Sequence, residues 1–174
     1  MFRPCLGLLF TAILLSAQTP AVPRKAPDLA IQTSQEKFLW LSEYAGKTRL
    51  VAVIMTTCPH CQYTTGILNK IQKDYAARGL QIVASAIEPM SSLHVDDFKK
   101  QFSPQFPIGY NDQKYVMKFL GLGENDPMFV PQLVLVDKAG TVRAQLTGDD
   151  PRMEKETQEK NLRELIEKVL KEGK

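Results

Sequence analysis

Six consecutive apolar residues, Leu50-Val51-Ala52-Val53-Ile54-Met55, are followed two residues later by Cys58-Pro59-His60-Cys61. An apolar run without alternation is the pattern of a strand buried on both faces, at the centre of a sheet with helices on each side. The period then changes. Tyr63, Ile67, Leu68, Ile71 and Tyr75 fall on one stripe of a helix, and Gly79 is a natural stop for it. Gly66 lies inside that pattern, at a cost of about 1 kcal/mol against alanine, and marks either a close packing point or a bend. Leu80–Ile87 reads as the next strand, so strand, helix and strand imply a parallel unit with a right-handed crossover. The two cysteines therefore sit at a strand-to-helix junction.

A C-x-x-C pair at such a junction points to a dithiol/disulfide redox centre. Disulfide exchange requires a thiolate. At the start of a helix, unpaired backbone N–H groups and the positive end of the dipole point at Cys58. Cys61 lies over the same face one turn later. Cys58 is thus expected to be the exposed attacking sulfur and Cys61 the shielded, resolving one. Between them stand Pro59 and His60, and His60 can add a positive charge or a hydrogen bond to the Cys58 thiolate. The competing readings are a structural disulfide, or a copper- or zinc-binding module built on Cys58, Cys61 and a histidine. A zinc site wants a second ligand pair at similar spacing. The chain offers only His60 and His94, and Leu93-His94-Val95 reads as a helix surface. No metal is expected, and no cofactor beyond the Cys58–Cys61 disulfide itself.

The chain of 174 residues is long enough for one domain with a full core. A net charge of +3, without an arginine-rich stripe, gives no reason to expect nucleic acid as a partner. Residues 1–17 have the layout of a secretory signal peptide. Arg3 precedes the apolar run Cys5–Leu15, which is too short for the roughly 20 residues that span a bilayer, and small residues follow. Removal of this segment would leave two cysteines in an extracytoplasmic compartment where disulfides persist; a membrane is expected as a partner only if the segment is retained. Residues 18–27, rich in proline and alanine, read as a flexible leader, and 28–174 as the folded domain.

Within the domain, 28–33 and 37–41 read as an N-terminal hairpin, followed by a short helical turn ending at Gly46. Ser91 or Ser92 is expected to cap a helix that buries Val95, Phe98 and Phe102. Further pieces are a short strand at 106–110 and a helix at 114–120 stopped by Gly121. Phe129–Val136 and Thr141–Leu146 are joined by the turn Asp137-Lys138-Ala139-Gly140. Asp150-Pro151 is a helix-start signal ahead of the stripe Leu162, Leu165, Ile166, Val169 and Leu170. Glu156/Lys160, Glu164/Lys168 and Glu167/Lys171 are expected to pair along that helix.

Taken together, Ala26-Pro27-Asp28, the apolar strand before Cys58-Pro59-His60-Cys61, the insertion between about Glu88 and Leu120, and Val130-Pro131 before an apolar hairpin carry a resemblance. Over about residues 26 to 170 the chain resembles the exported TlpA/ResA-like thiol–disulfide oxidoreductases. The resemblance implies an α/β, thioredoxin-like fold: a central mixed sheet flanked by helices, with an N-terminal hairpin and a helical insertion. It also implies that Val130-Pro131 is a cis peptide lying against the disulfide, with the Val130 backbone free to pair with an extended substrate chain. The plainer reading of Pro131 is a turn proline before a strand. The implied partners are cysteine-containing protein substrates, an apocytochrome among the conceivable clients, and a redox partner protein. The implied location is periplasmic or otherwise extracytoplasmic.

The chain departs from this family at two places. Thr57 stands where the family usually has tryptophan, and Ala52 stands where thioredoxins carry a buried acid. Glu88, at the end of the next strand, is a possible substitute for that acid, although a glutamate at a strand end is usually just solvated. The dipeptide Pro59-His60 resembles that of DsbA-like oxidases. The frame thus points to a reductant and the dipeptide to an oxidant.

Overall fold

Every residue of the strand before the cysteines, Thr48–Ile54, is buried, and the layers on either side of it explain why. The computed structural model describes residues 20–172; the expected export segment, with Cys5, lies outside the described residues. One eight-stranded mixed sheet runs through the molecule. Its strands are β1 (Arg24–Lys25), β2 (Ala30–Ser34), β3 (Lys37–Trp40), β4 (Thr48–Ile54), β5 (Leu80–Ala86), β6 (Ile108–Tyr110), β7 (Gln132–Val136) and β8 (Thr141–Leu146). Their spatial order is β1-β8-β7-β4-β5-β6-β2-β3. Four helices flank the sheet: α1 (Pro59–Tyr75), α2 (Ser91–Phe102), α3 (Gln113–Leu120) and α4 (Gln158–Glu172). No helix among the described residues is long and apolar enough to cross a membrane.

Alternate residues of the central strands serve two cores. Leu50, Ala52 and Ile54 of β4, with Leu133 and Leu135 of β7, pack against α1, α2 and α4 through Leu68, Ile71, Phe98 and Ile166. Val51 and Val53 of β4, with Val134 and Val136 of β7, pack on the other face against Val116, Phe119 and Leu120 of α3 and Leu41. A strand in this position has no solvent face, which is why its sequence does not alternate. β4 and β5 run parallel with α1 as their crossover, and β4 pairs antiparallel with β7. The expected hairpin forms as β2 and β3 and joins the sheet through β6.

Several local expectations are corrected. Tyr63 does not enter the core: it is exposed, and its hydroxyl donates to the Lys155 carbonyl at 2.9 Å, while Cys61, Thr64 and Thr65 take the buried positions of the same turns. Neither Ser91 nor Ser92 caps α2; Met90 holds the N-cap in the left-handed region, with no side-chain hydrogen bond. Asp150-Pro151 opens a single 3-10 turn, Pro151–Met153, and α4 begins only at Gln158. The expected pairs on α4 give way to tertiary ones. Glu167 receives Arg78 at 2.9 Å, and Arg163 reaches Asp74 of α1 as well as Glu159 one turn back on its own helix. Residues 24–27 are not free leader. β1 pairs with β8, Ala26 donates to the Gly140 carbonyl at 2.9 Å, and Arg24 donates to the Leu120 carbonyl and to Gln145. Proline-rich composition conceals a strand this short, whose hydrogen bonds all come from a distant edge.

Candidate active site

α1 begins where β4 ends, and Cys58 is its N-cap, with extended dihedrals of φ −78° and ψ 119°. Pro59 occupies the first helical turn, where its missing N–H costs nothing. The Cys61 backbone N–H donates to the Cys58 sulfur at 3.4 Å. The sulfur therefore takes the role that a serine or aspartate oxygen plays in an ordinary cap, and a negative charge there faces the unpaired N–H groups of the helix start. Cys58 is half-buried, whereas Cys61 is 0% exposed. Burial pushes the Cys61 thiol well above its ordinary range; the hydrogen bond and charge of Cys58, and the charge of Glu88, push the same way.

His60, in the first turn, holds its Nε2 out of water with no hydrogen-bond partner. Thr57 and Pro59 are exposed. His94 is exposed on α2, and among the described residues no group of three or more His, Cys, Asp or Glu side chains is placed to hold a metal ion.

Val130 and Pro131 come to the same end of the sheet. Val53 of β4 faces Gln132 of β7, so the residues leading into β7 lie beside those leaving β4 toward Cys58. The Val130–Pro131 bond is cis, as the resemblance implies. Cys58 and Val130, both partly buried, pack against the same core cluster. The sequence motifs named for chemistry are thus gathered at one rim.

Two contributors to this rim had no signature in the sequence. The backbone of Gly148 lies directly on the Val130–Pro131 peptide: a Cβ there would sit 2.6 Å from the Val130 carbonyl carbon, and the Gly148 N–H donates to the Phe129 carbonyl at 3.1 Å. Thr56 is held from both sides. Its N–H donates to Glu88 Oε1 at 2.9 Å and its hydroxyl to the same oxygen, while Gln62 Nε2 donates to its carbonyl at 2.8 Å. A glycine after a strand and a threonine before a cysteine are common, and only the approach of distant chain gives them a role.

A family model described as Redoxin matches residues 21–166. A thiol-disulfide oxidoreductase ResA from Geobacillus thermodenitrificans is 30% identical over 129 residues, covering 74% of this chain and 70% of the relative. The ResA of Bacillus thuringiensis is 23% identical over the same shares of the two chains. Among solved structures, a thiol:disulfide interchange protein of the thioredoxin family from Chlorobium tepidum superposes with a TM-score of 0.70. The two are 21% identical, and the match covers 87% of this chain and 99% of the other. A thiol:disulfide interchange protein from Bacteroides sp. superposes with a TM-score of 0.67 at 18% identity, over 88% and 93%. The sheet, its four helices and these relatives agree: the chain belongs to the Redoxin family, as a TlpA/ResA-like thiol–disulfide oxidoreductase of thioredoxin-like fold.

Proposed function

We propose that the protein exchanges disulfides with cysteine-containing proteins outside the cytoplasm, through Cys58 and Cys61 and with no other cofactor. The layout of residues 1–17 as an export signal supports the compartment. The observation that carries the choice of residues is the asymmetry of the pair, half-buried Cys58 on a helix start and fully buried Cys61 three residues on. A client can reach the first sulfur and not the second. In the reducing direction the Cys58 thiolate attacks a client disulfide, forming a Cys58–client bond and releasing one client thiolate. Cys61 then attacks the Cys58 sulfur, and the second client thiolate leaves. Two electrons pass to the client, and the Cys58–Cys61 disulfide remains. The oxidising direction is the reverse.

The client chain lies in extended form beside Val130, whose backbone precedes the N–H-less Pro131 and offers hydrogen bonds without competition from it. Pro59 and His60 set the balance between the directions. The imidazole nitrogen of His60 that lacks a partner gains one when a charge develops on a neighbouring sulfur. The Cys61→Ser variant is expected to accumulate reductant-sensitive adducts between Cys58 and client proteins, and the Cys58→Ser/Cys61→Ser variant to accumulate none. Absence of adducts from Cys61→Ser in cells would overturn the reading.

A further inference from the structure

Gln62 follows the second cysteine, and both of its amides reach back across the motif. Its backbone N–H donates to the Cys58 carbonyl at 3.0 Å, the bond that opens α1 at its N-cap. Its side-chain Nε2 donates to the Thr56 carbonyl at 2.8 Å. That carbonyl lies six residues back and outside the helix, beyond the neighbours that helical spacing brings together. The two bonds straddle Cys58.

Thr56 is a fixed point. It is 6% exposed, and its N–H and hydroxyl both donate to Glu88 Oε1, the first at 2.9 Å. Glu88 follows β5, which pairs with β4 as far as Ala86 beside Ile54, and the Ile87 N–H donates to the Ile54 carbonyl at 3.1 Å. Thr56 is thereby tied to the sheet, and Gln62 ties the start of α1 to Thr56. Between these ties the chain makes one turn, closed by the Cys58 N–H on the Met55 carbonyl at 3.2 Å. The helix cap follows, with the Cys61 N–H on the Cys58 sulfur at 3.4 Å.

A buried carbonyl needs a donor, and a glutamine that did no more than supply one would act on stability alone. The place of this bond gives it a second consequence. Closing the Cys58–Cys61 disulfide brings two sulfurs together, and that closure costs less when the chain carrying them has already lost its freedom. Cys61 is held in the core at 0% exposure. Cys58 is half-buried at the helix cap, and its place relative to Cys61 depends on the turn that Gln62 pins.

We propose that Gln62 is a positioning residue for ring closure between Cys58 and Cys61. Its side-chain amide holds the turn carrying Cys58 against the helix carrying Cys61. When the Cys61 thiolate attacks the Cys58 sulfur of a mixed disulfide, the Cys58–Cys61 bond forms and the Cys58–client bond breaks. The client thiolate leaves with the electron pair. Gln62 donates to carbonyls and not to sulfur; it sets how often the two sulfurs are aligned. This assignment rests on Cys58 and Cys61 being the exchanging pair.

The test is the equilibrium constant of the pair with glutathione, which reports the effective concentration of one sulfur at the other. Gln62→Met has similar length and no donor. It is expected to lower the constant about tenfold, the worth of one hydrogen bond, a shift of about 30 mV to a more oxidising potential. Release of thionitrobenzoate from a mixed disulfide on Cys58 is expected to slow by a similar factor, while reduced Cys58 alkylates at the wild-type rate. Gln62→Leu repeats the measurement should the methionine variant fail to fold, and Gln62→Asn, which keeps the amide, is expected to recover part of the loss. A constant within about twofold of wild type, in whichever donor-free variant folds, overturns the proposal and leaves the bond to stability alone. So does an equal loss in the alkylation rate of Cys58, which would place the effect on the thiolate rather than on the closure. Failure of wild type itself to form the disulfide in any glutathione buffer would contradict the assignment of the pair, and the proposal with it.

Discussion

Gly148 has no side chain because its backbone rests on the Val130–Pro131 peptide. A Cβ there would meet the Val130 carbonyl carbon at 2.6 Å, so either the β8 exit or the loop into β7 must move. Forcing a methyl group into such a contact costs about 1–3 kcal/mol. Gly148→Ala is therefore expected to lower the denaturation midpoint by that equivalent and to slow exchange with a protein substrate, because the segment that moves carries Val130. Unchanged stability together with unchanged exchange would show that the contact is not needed. At this scale the legible residues were those whose chemistry depends on short spacing. Cys58 and Cys61 lie three apart, and the helix they open is local. The clamp of Glu88 and Gln62 on Thr56 spans 32 residues of chain on one side, and the seat of Gly148 joins β8 to the loop before β7. Such contacts follow from the strand order, which no residue pattern specifies.

Among the elements, α1 does most to present the site, and Gly66 is its weak point. The space around a Cβ at Gly66 is open, with no atom within 4 Å, and the residue is exposed. Of the two explanations that the sequence allowed, the close packing point is therefore removed. Gly66→Ala is expected to stabilise the protein by about 0.5–1 kcal/mol in denaturant unfolding, through the helix propensity gained. Destabilisation would show that the helix needs the glycine for another reason. The strands were legible because burial on two faces leaves an unbroken apolar signature, as in β4 and β7. The ends and charges of helices were less so. Arg78 and Arg163 draw Glu167 and Asp74 into pairs between elements, which local i,i+4 spacing does not anticipate. The start of α2 depends on a left-handed Met90, for which Ser91 and Ser92 were the more obvious caps.

At the scale of the whole molecule, the sheet brings three distant segments to one rim: the end of β4 with its dithiol, the entry to β7 with Val130-Pro131, and the end of β5 with Glu88. β1 adds the residues expected to be leader to the opposite edge of the sheet, and Arg24 fastens them to Leu120 and Gln145. The proposed exchange depends on the dithiol at that rim. Its most direct test is the equilibrium of the protein with a glutathione redox buffer, with each cysteine's state read by alkylation and mass measurement. One intramolecular disulfide joining Cys58 to Cys61 is expected, formed in a single two-electron transition, which moves to a more reducing potential in His60→Pro. Glutathione adducts on separate cysteines, with no Cys58–Cys61 disulfide at any buffer ratio, would contradict it.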